Sequence, residues 1–264
     1  MIKNILLASL LFLSIKASAQ IEKIDTDRPD QTESPFTVPK KWIQFESGFL
    51  RETEKDIYPS FRNWKDIHLQ YPSLLSKYGL GKRVELRLIT AFATYKYKEG
   101  NKITYKETGL ESVQLGGKLN FLDEQGLRPK TSLIAHYDFG RLRKINYDTI
   151  DGVNFRFTMQ HTLSKKLSLS YNAGIEWERF GHPPAYIYTL ALGYNISEDW
   201  YGYVEAFGFI WKKDKPENSI DAGIAYYIND DFKIDFSGGL GLTKKAPDSY
   251  FAIGASFRFK TNKD

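Results

Sequence analysis

Phe232-Lys-Ile-Asp-Phe-Ser-Gly-Gly-Leu-Gly-Leu242 alternates between two kinds of side chain. Phe232, Ile234, Phe236, Leu240 and Leu242 share one face; Lys233, Asp235, Ser237, Gly239 and Gly241 share the other. Successive side chains of a strand point to opposite faces, so this strand can offer an apolar face to lipid and a polar face to a wet interior. The pattern extends in both directions. Trp200 to Phe259 reads as four consecutive strands, each ending in a turn cluster, and the same alternation runs back to Trp42.

Twelve strands are predicted. They are Trp42 to Arg51, Ile67 to Leu75, Val84 to Tyr97, Ser112 to Phe121, Thr131 to Phe139, Val153 to Leu163, Leu167 to Trp177, Tyr186 to Ile196, Trp200 to Trp211, Ile220 to Ile228, Phe232 to Leu242 and Tyr250 to Phe259. Two are blurred. Pro72 weakens the second because it cannot donate to a ladder. The third loses its period after Ile89, where a bulge is expected. Short connections such as Ser164-Lys-Lys166 alternate with long ones such as Lys98 to Glu111. Short periplasmic turns and long extracellular loops mark an all-β transmembrane, antiparallel up-and-down barrel. A soluble lipocalin-like barrel or sandwich stays open, because alternation alone does not tell inside from outside. Twelve strands exceed what a compact soluble barrel needs. Phe257-Arg-Phe259, near the C-terminus, fits a signal read by the barrel assembly machinery, although Lys260 to Asp264 follow it.

Residues 1–19 read as a secretory signal, with Lys3 ahead of an apolar core and Ala17-Ser-Ala19 at a cleavage site. The apolar run is too short to cross about 30 Å as a helix. The expected organisation is signal 1–19, a periplasmic segment 20–41 and a barrel 42–264, placed in the outer membrane of a Gram-negative bacterium. Cysteine is absent, so disulfides and thiolate chemistry are excluded. The net charge of +5 includes Lys3 and Lys16, which leave with the signal. No basic cluster with interleaved aromatics marks a nucleic-acid surface. Tyr 17, Phe 18 and Trp 5 are enough to furnish aromatic girdles at two membrane interfaces.

Ile24-Asp-Thr-Asp-Arg-Pro-Asp-Gln-Thr-Glu-Ser-Pro-Phe-Thr-Val-Pro39, followed by Trp42-Ile-Gln-Phe-Glu46, resembles the N-terminal signature of the MetA-pathway phenol-degradation family of bacterial outer-membrane proteins. The resemblance is specific from Thr26 to Pro39 and looser along the strands. It implies a barrel concerned with uptake of small, apolar or aromatic compounds, and it brings no catalytic residues. Within the signature, Asp27, Asp30 and Glu33 surround Arg28, and Pro29 and Pro35 stiffen the chain. An arginine fork suits carboxylates. The segment is expected to tuck against or into the periplasmic mouth, with Arg28 on a lumen or rim carboxylate such as Glu46. A solvated linker is the alternative.

The strand phases place Glu46, Glu85, Arg87, Lys118, Arg156, Glu176, Lys233, Asp235 and Arg258 in the lumen. On the ninth strand Glu205 shares its phase with Tyr203 and Phe207, so an inward Glu205 carries an aromatic ladder with it. An outward one would put a carboxylate into lipid. Both signs of charge allow either an open pore or a lumen closed by ion pairs. His68, His136, His161 and His182 lack the partners of a catalytic or metal site. No enzyme, cofactor or metal is expected. The expected partners are membrane lipid, a small solute and lipopolysaccharide phosphates. Lysines at 98, 102 and 106 and other cationic loop residues would meet those phosphates. A non-transporting surface barrel is the second reading.

Overall fold

Backbone groups in hydrocarbon must be satisfied within the protein, and a sheet achieves this by closing on itself. The computed structural model, which describes residues 23–55, 64–145, 149–178, 180–212 and 214–261, shows that closure. Twelve antiparallel strands form one barrel. They are β1 (Trp42–Lys55), β2 (Trp64–Gly79), β3 (Val84–Glu99), β4 (Lys102–Leu122), β5 (Lys130–Asp138), β6 (Gly152–Thr162), β7 (Leu167–Trp177), β8 (Ala185–Asn195), β9 (Trp200–Trp211), β10 (Glu217–Asn229), β11 (Phe232–Gly241) and β12 (Ser249–Lys260). The last strand pairs with the first from Trp42↔Lys260 to Thr53↔Ser249. The expected signal, residues 1–19, lies outside the described residues.

The barrel is apolar outside and charged inside. Leu86, Leu119, Phe157, Val204, Phe236 and Ile253 face outward and exposed, whereas Glu46, Glu85, Arg87, Lys118, Lys233 and Asp235 are buried. A soluble β-barrel has the opposite arrangement, with its apolar face in one core. Such a contiguous apolar band on a monomer's surface has lipid as its partner. Aromatic pairs sit on this band, among them Phe45–Phe257 with ring centroids 5.3 Å apart and Trp200–Tyr226 at 4.8 Å. No helix among the described residues is long and apolar enough to cross a membrane.

Two irregularities explain the blurred strands. In β2, Gly48 opposes Ser73 and Leu50 opposes Gln70, so Tyr71 and Pro72 together stand against Phe49. That is a bulge, and the proline, which has no N–H, sits in it. The bulge reverses the parity of the strand. His68 and Gln70 face inward above it; Ser73, Leu75 and Lys77 face inward below it. In the β3–β4 pair, Ala91 opposes Ser112 and Phe92 opposes Leu110, which leaves Glu111 as the extra residue.

The expected loop from Lys98 to Glu111 is instead a hairpin. Only Gly100 and Asn101 separate β3 from β4, and Gly100 takes the φ of 58° that the turn demands. Lys98, Lys102 and Lys106 therefore lie on strands. Both faces of this part are wet, so its residues show no apolar alternation to read. Tyr97 and Tyr105 stack across it at 5.0 Å.

Candidate functional site

Residues 23–41 do not trail away from the barrel. They enter the lumen from the short-turn rim, turn over, and return to the same rim before β1 begins. At the start, Lys23 pairs with Asp199 at 3.1 Å and the Ile24 amide donates to the Asp230 carbonyl at 2.7 Å. At the end, the Thr37 hydroxyl donates to the Lys82 carbonyl and the Lys41 amide to the Gly79 carbonyl. Asp199, Asp230 and Lys82 belong to the short turns after β8, β10 and β2. The two legs are tied together: the Ser34 amide donates to Asp27 at 2.9 Å and the Ser34 hydroxyl to Asp25.

Asp27 is the hub. Its carboxylate accepts from Lys77 at 2.7 Å, Arg87 at 2.8 Å and Lys118 at 3.0 Å. The wall supplies second partners to the same cations: Glu46 to Lys77, and Glu85 to Arg87 at 3.0 Å and to Lys118 at 3.7 Å. The Asp27 amide donates to Glu46 at 2.9 Å. Glu33 takes the rest of Arg87 at 2.8 Å and reaches Arg156 at 3.4 Å. On the returning leg, Lys118 donates to the Ser34 carbonyl, Ser132 to the Pro35 carbonyl, and the Val38 amide to Glu85 at 2.7 Å. Burial alone would raise the Asp27 carboxyl, but Lys118, Lys77 and Arg87 hold it well below the usual carboxylate range.

The apex of the segment spans Arg28 to Thr32. Arg28 does not reach Glu46; it pairs with Asp235 at 3.0 Å, and its carbonyl accepts from Lys233 at 2.8 Å. Asp27 and Lys77 already occupy Glu46. The Arg28 guanidinium fits because Gly48 and Gly254, directly opposite each other across the β1–β12 seam, lack side chains. A Cβ on Gly48 would come within 2.4 Å of Nη1, and one on Gly254 within 2.4 Å of Nε. On the other flank the Gln31 amide donates to Glu205 at 2.7 Å, and Thr32 donates to the same carboxylate. Asp30 is pushed well above the usual carboxylate range by burial and by the neighbouring Glu205.

The remaining residues singled out in the sequence take distinct places. Glu205 is inward and buried, and Val204 and Ile210 take the lipid side of the same strand. Tyr203 is buried behind it, donating to Asp221 at 3.1 Å. Phe207 lines the chamber above the apex. Glu176 lies at the extracellular end and Arg258 at the periplasmic rim, where it donates to Asp231 at 2.8 Å. Pro29 forms part of the apex. Lys77, Asp221, Gly48 and Gly254 belong to the site without having been singled out. Lys77 lies beyond the predicted end of its strand at Leu75, and the bulge hides its parity. Asp221 was legible, since it alternates with Ile220 on a predicted strand.

Two chambers flank the segment. The extracellular one, about 690 Å³, has Arg28, Pro29, Asp30, Gln31 and Glu33 on its floor. Leu50, Leu75 and Ile89 line one wall, and Phe207, Phe209 and Tyr250 the other. The periplasmic chamber, about 300 Å³, lies between the first leg and β6–β9. Arg28 and Asp30 line both chambers, so the partition there is one layer of side chains thick. Among the described residues no cluster of His, Asp and Glu could hold a metal ion.

The sequence model of the family described as "Putative MetA-pathway of phenol degradation" matches residues 26–259. A search of curated proteins gives no match. Among solved structures, an outer-membrane channel from Pseudomonas putida F1 is similar, with a TM-score of 0.63 at 12% identity, covering 90% of this chain and 100% of that one. The translocator domain of the autotransporter NalP from Neisseria meningitidis gives 0.53 at 10% identity and covers 96% of each chain. The NanC porin gives 0.50 at 8% identity, covering 81% of this chain and 98% of that one. At such identities the likeness is one of fold.

Proposed function

We propose, from the premise that the chain belongs to this family of outer-membrane barrels, that it is a gated channel for small apolar or aromatic solutes. The thin partition at Arg28 and Asp30, with a chamber on each side, is the observation that carries the reading. A solute enters the extracellular chamber and is held between the aliphatic and aromatic walls. It passes when the apex of the re-entrant segment shifts aside. Pockets that bind small molecules are mostly apolar, with a few placed polar groups, and range over roughly 300–1,000 Å³. The extracellular chamber has that size, with apolar side chains on its walls above a charged floor. The surrounding partners on this reading are membrane lipid, lipopolysaccharide phosphates and the barrel assembly machinery. The family's association with phenol degradation and the aromatic wall both support aromatic cargo.

The network around Asp27 favours a second reading, a permanently closed barrel. One experiment separates the two. The chain from Gln20 and a variant lacking residues 21–34 are compared in planar bilayers and in liposome swelling with graded sugars and small aromatics. Under the gating reading the full chain opens in discrete steps or leaks small solutes, and the deletion enlarges and prolongs the conductance. A full chain that folds as a heat-modifiable barrel and passes nothing supports the closed reading. Conductance unchanged by the deletion refutes the gate.

A further inference from the structure

Around Asp27 the lumen's carboxylates are matched by cations, and among the described residues those higher in the lumen are not. Asp27, Glu33, Glu46, Glu85 and Asp235 each have a Lys or Arg partner. The cations that reach the floor of the extracellular chamber, Arg28, Arg87 and Arg156, are consumed by those pairs. Glu52, Glu178 and Glu217 line the upper part of the same chamber, and among the described residues no hydrogen bond or ion pair holds their carboxylates. Glu178 and Glu217 also line a second cavity of about 480 Å³ toward the outer rim, with Glu176, His182, Pro183 and Trp211. Among the described residues the cations there are Lys212 and, beside the cavity, a Lys245 already 2.7 Å from Asp214. His68 of the chamber is engaged by Glu111 at 2.8 Å.

Two further observations say what this charge is for. Ser237, fully buried, forms part of the chamber wall, and its hydroxyl has no hydrogen-bond partner among the described residues. It is a hydrogen-bonding group that an occupant can engage once the wall around it gives. Among the described residues the carboxylates do not converge on a point where a metal ion could sit. They are spread over a chamber whose walls also carry Leu50, Leu75, Ile89, Phe207 and Phe209, which suits an organic cation with a hydrophobic body. From this geometry we infer that the extracellular chamber selects small protonated amines carrying an apolar or aromatic group. The ammonium lies toward Glu52 and Glu217. The body lies between Leu50, Leu75 and Ile89 on one side and Phe207 and Phe209 on the other. Carboxylates facing a low-dielectric chamber attract such a cation more strongly than the same groups in bulk water. The inference rests on the chamber being the solute site proposed above.

The test uses the folded full chain in detergent and three probes of one size: phenylethylammonium, phenylethanol and phenylacetate. Binding is read by calorimetry and passage by liposome flux. The ammonium should bind about tenfold more tightly than the alcohol, the acetate should bind worst, and the advantage should shrink at high salt. Glu52→Gln with Glu217→Gln should abolish the preference while leaving binding of the alcohol unchanged. Glu178→Gln, on a loop, should weaken the preference even if the double variant folds poorly. Equal binding of ammonium and alcohol, with both passing, overturns cation selection and leaves the channel reading intact. Failure of every probe to bind or pass overturns both.

Discussion

Replacing Asp27 with Asn keeps the shape of the hub and removes its charge. Three cations then lose a partner at 2.7–3.0 Å in a site where every group is buried. Removing one partner from a buried ionic cluster costs about 3–5 kcal/mol. The barrel is spared part of this cost, because Lys77, Arg87 and Lys118 keep Glu46 and Glu85 on the wall. None of the strand ladders passes through Asp27. The loss therefore falls on docking of the segment, and about 3 kcal/mol shifts a docked-to-released equilibrium by about a hundredfold. Single-channel recording should show long openings where the unaltered chain is mostly shut, and heat-modifiable migration should show the barrel still closed. An Asp27→Asn barrel that folds yet conducts as the unaltered chain does would refute the view that the ionic hub holds the gate.

Gly254→Ala or Gly48→Ala should expel the Arg28 guanidinium from its slot, at a cost of about 3 kcal/mol to docking, and raise open probability; a glutamate-specific protease should then cut after Glu33 in folded protein. Phe207→Ala with Phe209→Ala should slow passage of phenol-sized solutes several-fold relative to a sugar of equal size, read by liposome flux, with the barrel's thermal stability little changed. The pH dependence has two limbs. Asp27 binds fewer protons docked than released, so acidification below the ordinary carboxylate value of about 4 weakens docking. Asp30 binds more protons docked than released, so raising the pH from about 4 toward its elevated value also weakens docking. Open probability should pass through a minimum near pH 4, at about the ordinary carboxylate value, and should lose its alkaline limb in Asp30→Asn.

Legibility followed the environment of each stretch. β7 and β9 are read to the residue because lipid on one face and a polar lumen on the other impose strict alternation. Where both faces are wet, as in the β3–β4 hairpin, the alternation vanishes and a strand looks like a loop. In β2 the Tyr71–Pro72 bulge resets the parity, so Lys77 cannot be placed inward until the pairing is known. The re-entrant segment was visible as a concentration of charge, but its partners were not. Those of Asp27 stand at positions 77, 87 and 118, and only the closed register brings them together. Arg28 finds Asp235 rather than Glu46 because two strand glycines open a slot there, and glycine in a strand admits several readings.

The slot beneath Arg28 is half on β1 and half on β12, the first and last strands of the chain. Neither half is a slot alone. While the two strands are apart, Gly48 and Gly254 are merely gaps on separate edges, and Asp235 waits on the neighbour of the last strand. The guanidinium can seat only after the sheet has joined to itself along the full register. Docking of residues 23–41 thus requires a closed, in-register barrel. A barrel that fails to zip shut, or zips out of register, leaves its leading segment hanging on the periplasmic side, where a protease can distinguish it from a finished molecule.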